Sequence, residues 1–349
     1  DVYKRQLFIP RTNASDATFD EKTTQLIARM HKAITIIQFK LEGEIIRRRP
    51  EFGMDDRLLL HHIDLHRGTI RIEGKEYELK DKNWPTLNAK DPYALSIEEE
   101  ELMRRIKHSF ECSEKLKKHM RCLFTHGSMY QVCNSNLLFH ASVPMNPDGT
   151  LKAIRIEGTE YKGKALVYKR QLLDKVDQLV RTAYFDADDS PEKDFAMDYI
   201  WYLWEGKDSP LFDKSRMATF ERCFIDDKSV QKEEKGAYYS LREEESVCDM
   251  LLDEFGVTGR HRHIINGHVP VRSIKGENPI KANGKLLVID GGFSKAYHPE
   301  TGIAGYTLVY HSRGFQLVQH EPFLSTDQAI KEGKDIRSTT IVVELNSHR

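Results

Sequence analysis

Between Glu21 and Arg49 the apolar residues Leu26, Ile27, Met30, Ile34, Ile37, Leu41 and Ile45 recur at helical intervals, and Pro50 ends the pattern. The spacing predicts one long amphipathic helix. From Gly68 to Leu79 the period changes to two, with Ile70, Ile72, Tyr77 and Leu79 placed about a Glu73-Gly74-Lys75 turn, which predicts a small hairpin. Ser96 followed three residues later by Glu99 forms a capping box. It opens a charged helix running to about Met120, with Leu102, Ile106 and Phe110 on one face and the Glu and Lys runs in solvent. From Leu123 short apolar runs separated by Gly, Asn and Pro predict strands, including a hairpin that turns at Asn134-Ser135-Asn136 and ends on His140. Helical patterns follow near 164–184, 194–205 and 241–255, then strand-like runs at 263–266, 285–290, 305–310 and 314–320. This mixture predicts an α/β, α+β layered fold, with a mainly helical insertion and small hairpin over residues 1–120 and a sheet-bearing part over 121–349.

Composition narrows the partners. The 349 residues carry 53 Lys and Arg against 54 Asp and Glu, a net charge of −1, so no global positive field exists to hold nucleic acid or an anionic membrane. The five cysteines (Cys112, Cys122, Cys133, Cys223, Cys248) form no C-x-x-C pair, which points to a reducing compartment and to thiols packed in the core. No run of about 18 apolar residues is present and the first residues are not a signal peptide, so the expected location is the cytoplasm. Val2–Leu7 (VYKRQL) recurs letter for letter at Val167–Leu172 with no repeat around either copy, and carries no functional weight.

Two histidines stand just beyond short apolar strands: His140 in NLLFHASVP and His268 in HIINGHVPV, the latter preceded by Gly267, which permits close backbone approach. Strand ends present side chains to an open cleft, and neutral imidazole is a good ligand for manganese, iron or zinc. A hydrogen-bonded structural histidine is the competing reading at each position. His261-Arg262-His263 lacks cysteine partners and reads as a polar loop. Asp64-Leu65-His66 spells a D-x-H metal motif without its companions and reads as a coincidence. Trp84, Trp201 and Trp204 read as core, and the glycines of Asp290-Gly291-Gly292 fit no phosphate-loop pattern.

The stretches LLFHASVP, WYLWEGKDSPLF, TFERCF, HIINGHVPV, PIKANGKLLVIDGGFSKAY and TGIAGYTLVY resemble the class III fructose-1,6-bisphosphatases of Firmicutes-type bacteria, from about Leu7 to the last strand. The resemblance implies a calcineurin-like metallophosphatase core, of which this chain would hold a partial β-sandwich flanked by helices. It also implies a phosphoric monoester hydrolase that removes the C1 phosphate of fructose 1,6-bisphosphate in gluconeogenesis, with two manganese ions and a metal-activated water. Residue by residue, His140 and His268 match the metal-binding histidines, with Ala141 standing where the family pattern has glycine. The family's GD-x-x-D-R and GN-H-D/E motifs occur nowhere in the chain. Without their aspartate and asparagine, two metals about 3.5 to 4 Å apart cannot be held. The expectation is therefore a C-terminal portion whose catalytic residues lie upstream of residue 1, nearly inactive alone and prone to aggregate. Lys207, Lys295 and Arg222 are the candidate phosphate contacts, with Arg272 and Lys281 behind them. Another metallophosphoesterase acting on proteins or nucleotides, or a non-catalytic binding and assembly module, stays open as an alternative.

Overall fold

A computed structural model of the chain describes residues 8, 19–156, 165–167, 170–187, 189–294, 297–311, 314–323, 325–333 and 338–345. The first VYKRQL copy and Lys295 lie outside them. In chain order the elements are α1 (Glu21–Arg48), β1 (Ile63–Asp64), β2 (Thr69–Ile72), β3 (Lys75–Glu78), α2 (Ile97–Glu111) and α3 (Glu114–His126). There follow β4 (Tyr130–Cys133), β5 (Asn136–Phe139), β6 (Ile154–Ile156), β7 (Ala165–Val167), α4 (Arg170–Phe185), α5 (Pro191–Glu205), α6 (Thr219–Phe224), α7 (Tyr238–Leu241) and α8 (Glu245–Glu254). The last are β8 (His263–Asn266), β9 (Ile280–Lys281), β10 (Leu286–Val288), α9 (His298–Thr301), β11 (Gly305–His311), β12 (Gly314–His320), α10 (Thr326–Glu332) and β13 (Ser338–Leu345). The architecture is mixed α/β. No helix among the described residues is long and apolar enough to cross a membrane.

The chain divides into two compact units, Asp1–His126 with Arg216–Glu234, and Gly127–Ser215 with Lys235–Arg349. The expected division at residue 120 thus moves to 126, and α6, read with the sheet-bearing part, belongs to the first unit. The physical reason is aromatic packing: Phe220 and Phe224 of α6 bury against Phe39 of α1 and against Trp84, whose ring lies 4.6 Å from that of Phe224. Nearby, the Arg57 guanidinium makes a two-pronged bond to Glu221, Nη1 to Oε1 at 2.7 Å and Nη2 to Oε2 at 3.0 Å, with Glu221 fully buried. Lys40 is also fully buried, donating to Glu99 Oε2 at 2.6 Å and to the Thr86 carbonyl at 2.7 Å. Glu99 closes the capping box on Ser96 as expected, so one carboxylate both starts α2 and neutralises the buried lysine.

Several local expectations shift. The helix expected to run to Met120 breaks at Cys112 and Ser113 and resumes as α3 to His126, so residues 123–126 are helical where strand was expected. Part of the helix expected over 164–184 is instead β7, paired with β6. Of the α1 stripe, Ile37 is buried, but Leu26, Met30 and Ile34 are exposed. The cysteines are free, yet Cys112, Cys122 and Cys133 are exposed and Cys248 alone is buried, against the reading of core thiols. Trp84 is core, whereas Trp204 is half exposed.

The second unit is built on a five-stranded sheet of order β4-β5-β8-β10-β9. Its central strands β5, β8 and β10 run parallel, with Leu137 opposite Ile264 and Ile264 opposite Leu286. Parallel strands are covered on both faces, which is why HIIN and LLV are buried at every position. One side packs on Tyr238, Leu251 and Leu252 of α7 and α8. Ile265 and Leu287 pack with Phe315 of a three-stranded antiparallel sheet, β11-β12-β13. After β10 the backbone passes so close to β11 that a Cβ on Gly291 would lie 2.5 Å from the Gly305 Cα, which excludes any larger residue without rearrangement.

Candidate functional site

The parallel pairing of β5 and β8 sets Phe139 opposite Asn266, so the residues after both strands emerge at one sheet edge. There His268 Nδ1 and His140 Nε2 stand 3.2 Å apart, with ring centroids 5.0 Å apart. His268 adopts φ +67°, a left-handed conformation that costs a residue with a Cβ about 1 kcal/mol or more and gathers at functional sites. Gly267 makes the close backbone approach expected of it, donating its amide to the His140 carbonyl at 2.9 Å, while the positive φ falls on the next residue, His268.

One side chain ties the two loops. Asn266, 1 % exposed, donates Nδ2 to the carbonyls of Ala141 and His140, both at 3.0 Å, and of Phe139 at 3.3 Å. Its Oδ1 accepts from Arg242 Nη1 at 2.7 Å and from the Tyr238 hydroxyl at 3.2 Å. The amide orientation is forced, because guanidinium can only donate and carbonyls can only accept. Asn266 was missed in the sequence; its signal was a polar residue closing an apolar strand two positions before the histidine.

Electrostatics keep the pair neutral. Partial burial is the main cause lowering the pKa of both rings. His268 is pushed down to about 4, with the charges of His140, Lys214 and Lys235 adding and that of Asp290 opposing. The arrangement presents two unprotonated imidazoles at one point, the state in which nitrogen binds a borderline divalent cation. Among the described residues no group of three or more His, Cys, Asp and Glu side chains could hold a metal ion. The donor set therefore fits as a pair of ligands and not as a complete centre.

Lys207 is exposed in the turn after α5. Arg222 lies in the first unit with its Nη2 2.9 Å from Glu233. The D-x-H triplet is a local turn, the Asp64 carboxylate accepting the amides of His66 and Arg67. His263 is a buried strand residue.

In the same unit Asp213 is 5 % exposed and at φ +48°, with no hydrogen-bond partner for Oδ2. Burial, helped by the charge of Asp208 and opposed by the Ser142 hydroxyl and Lys152, pushes its pKa from 3.8 up to about 6. The folded protein then holds this proton more tightly than the unfolded chain. Its contribution to stability is complete below about pH 4 and is lost as pH rises through about 6. Asp213→Asn is expected to gain on the wild type by up to about 3 kcal/mol between pH 4 and pH 8. Urea unfolding at both pH values checks this, and an equal difference at the two would refute it.

Comparison with known proteins gives concordant matches. The sequence model described as Firmicute fructose-1,6-bisphosphatase matches residues 1–349. A protein named fructose-1,6-bisphosphatase class 3 from Parabacteroides distasonis is 74% identical over 343 residues, 98% of this chain and 51% of the relative. Proteins of the same name are 67% identical over 343 residues in Bacteroides fragilis, with the same coverage, and 55% identical over 337 residues in Alkaliphilus metalliredigens, 96% of this chain and 50% of the relative. The chain spans about half the length of these curated relatives. No solved structure matches.

Proposed function

Since the chain belongs to the Firmicute fructose-1,6-bisphosphatase family, we propose that it serves the hydrolysis of fructose 1,6-bisphosphate to fructose 6-phosphate and phosphate, with His140 and His268 in the reaction centre. The observation that carries this reading is the convergence of two neutral imidazoles, 3.2 Å apart, at the ends of adjacent parallel strands. On this proposal the two packed sheets of the second unit are part of a calcineurin-like sandwich, and the protein acts in the cytoplasm.

His140 and His268 would hold a divalent cation, manganese being the proposed one, through the facing Nε2 and Nδ1 atoms. When bound, the metal supplies Lewis acidity toward a phosphoryl oxygen and a more acidic water. Asn266 fixes the backbone carrying both rings, and the lowered imidazole pKa values favour neutral rings, each of which has one nitrogen with a lone pair. Asp290, whose charge reaches both rings, limits that depression. Two histidines are fewer donors than a two-metal centre requires, so on this proposal the centre draws further ligands beyond this pair.

The test is phosphate release from fructose 1,6-bisphosphate with and without manganese, on the full-length protein and on the present 349-residue chain. His268→Ala is expected to lower the manganese-dependent rate of the active form by at least about a hundredfold. Full activity in that variant would remove His268 from the reaction. Failure of the full-length protein to release phosphate would favour the binding-module reading, and hydrolysis of phosphoproteins or nucleotides in its place the other phosphatase reading.

A further inference from the structure

The histidine pair occupies only part of the sheet edge at which it stands. β10 pairs in parallel with β8, Val288 opposite Asn266, just as β8 pairs with β5, Asn266 opposite Phe139. Phe139, Asn266 and Val288 therefore form one row, and each is followed within two residues by a group able to meet a cation: His140 after β5, His268 after β8 and Asp290 after β10. The carboxyl ends of adjacent parallel strands are where open α/β sheets bind their ligands.

Backbone bonds carry the row past the strand ends. The Gly267 amide donates to the His140 carbonyl and the Ile289 amide to the Asn266 carbonyl, both at 2.9 Å, so the pairing continues into all three exits. The Val271 amide then donates to the Asp290 carbonyl at 2.8 Å, which ties the loop carrying His268 to Asp290. That loop holds a strained residue, since His268 sits at φ +67° in a tight turn closed by the Val269 amide on the Gly267 carbonyl at 2.8 Å.

The Asp290 side chain is partly buried, and its Oδ1 accepts the Gly292 amide at 2.9 Å. Among the described residues no ion pair takes up its charge. In keeping with its place in the row, that charge acts on both imidazoles. Two neutral imidazoles bring no negative charge to a divalent cation, and a partly buried cation without a counter-charge is costly. Among the described residues no three side chains could ligate a metal together, so Asp290 acts by charge and not as a third ligand.

We propose that Asp290 is a positioning residue of the cation site: from the end of the third parallel strand it supplies the negative charge that holds a divalent cation at His140 and His268. The inference rests on the proposed reading of that pair as a cation site. Asp290→Asn separates this role from a structural one, because asparagine keeps the size and the oxygen that accepts the Gly292 amide and loses only the charge.

The experiment is manganese titration of the full-length protein, first stripped of divalent metal, with the free ion read from its electron paramagnetic resonance signal. Asp290→Asn is expected to bind manganese about tenfold to a hundredfold more weakly than the wild type, the usual cost of losing a partner just outside a metal's ligands. Its melting temperature without metal should stay within about 2 °C of the wild type. Asp290→Glu, which keeps the charge, is expected to recover part of the affinity, a rescue that a purely structural role would not give. Asp290→Ser, uncharged but able to accept the Gly292 amide, gives a second reading if Asp290→Asn melts early. Wild-type manganese affinity in the folded uncharged variants, or no manganese binding by the wild type, would overturn the assignment. Manganese binding that depends on both Asp290 and His268, without release of phosphate from fructose 1,6-bisphosphate, would keep the assignment and remove the hydrolase reading. Turnover that depends on His268, with unchanged manganese affinity in Asp290→Asn, would do the reverse.

Discussion

Replacing Asn266 by alanine is expected to destabilise the second unit by about 3 to 5 kcal/mol, because it leaves several buried groups unpaired at once. Arg242 Nη1 and the Tyr238 hydroxyl lose their acceptor, and the carbonyls of Phe139, His140 and Ala141 lose their donor. Each orphaned buried group costs roughly 1 to 3 kcal/mol, partly offset by relaxation and entering water. The measurement is urea unfolding of the variant followed by tryptophan fluorescence. Asn266→Asp separates anchoring from packing: it keeps an acceptor for Arg242 but sets a carboxylate against three carbonyls. It should therefore loosen the His140 loop while retaining the arginine, read as loss of the coupling between the two imidazoles in histidine NMR spectra. A variant within about 0.5 kcal/mol of the wild type would show that the two strand ends hold together without the amide.

Glu221→Ala is expected to cost about 3 to 5 kcal/mol in the first unit, since it removes the buried, two-pronged carboxylate from a guanidinium that is itself only slightly exposed. Arg57 would keep its bond to the Met217 carbonyl and its electrostatic contact with Glu42. The paired replacement Arg57→Met with Glu221→Leu should recover most of the loss, because removing both charges also removes their desolvation cost. Denaturant unfolding of the single and double variants decides the matter. A double variant as unstable as Glu221→Ala would mean that shape at α6, rather than charge pairing, sets the cost.

The histidine pair was legible because each ring follows a short apolar strand, and that pattern is written in consecutive residues. The place of Asp290 was not legible, since nothing in a sequence shows that β10 will pair in parallel with β8 and end in the same row. The surroundings of Arg222 were not legible for a related reason. Its neighbours Phe220 and Phe224 are apolar enough to suit any core, and their actual partners, Phe39 and Trp84, lie far off in the chain. The exposed Cys112, Cys122 and Cys133 show the same limit: thiol burial follows the helix face and the fold rather than the residue type. β13 escaped notice although Ser338–Leu345 pairs with β12 along its whole length.

What the sequence by itself determined is local: the long α1 ended by Pro50, the capping box at Ser96, the Glu73-Gly74 hairpin turn and the central apolar strands. Periodicity, caps and turn chemistry act over a few residues, so they can be read without knowing the fold. Only the tertiary structure decided which chemistry meets. The contact between His140 and His268 spans 128 residues, and it exists because β5 and β8 pair in parallel, in a register fixed by burying both faces of the sheet.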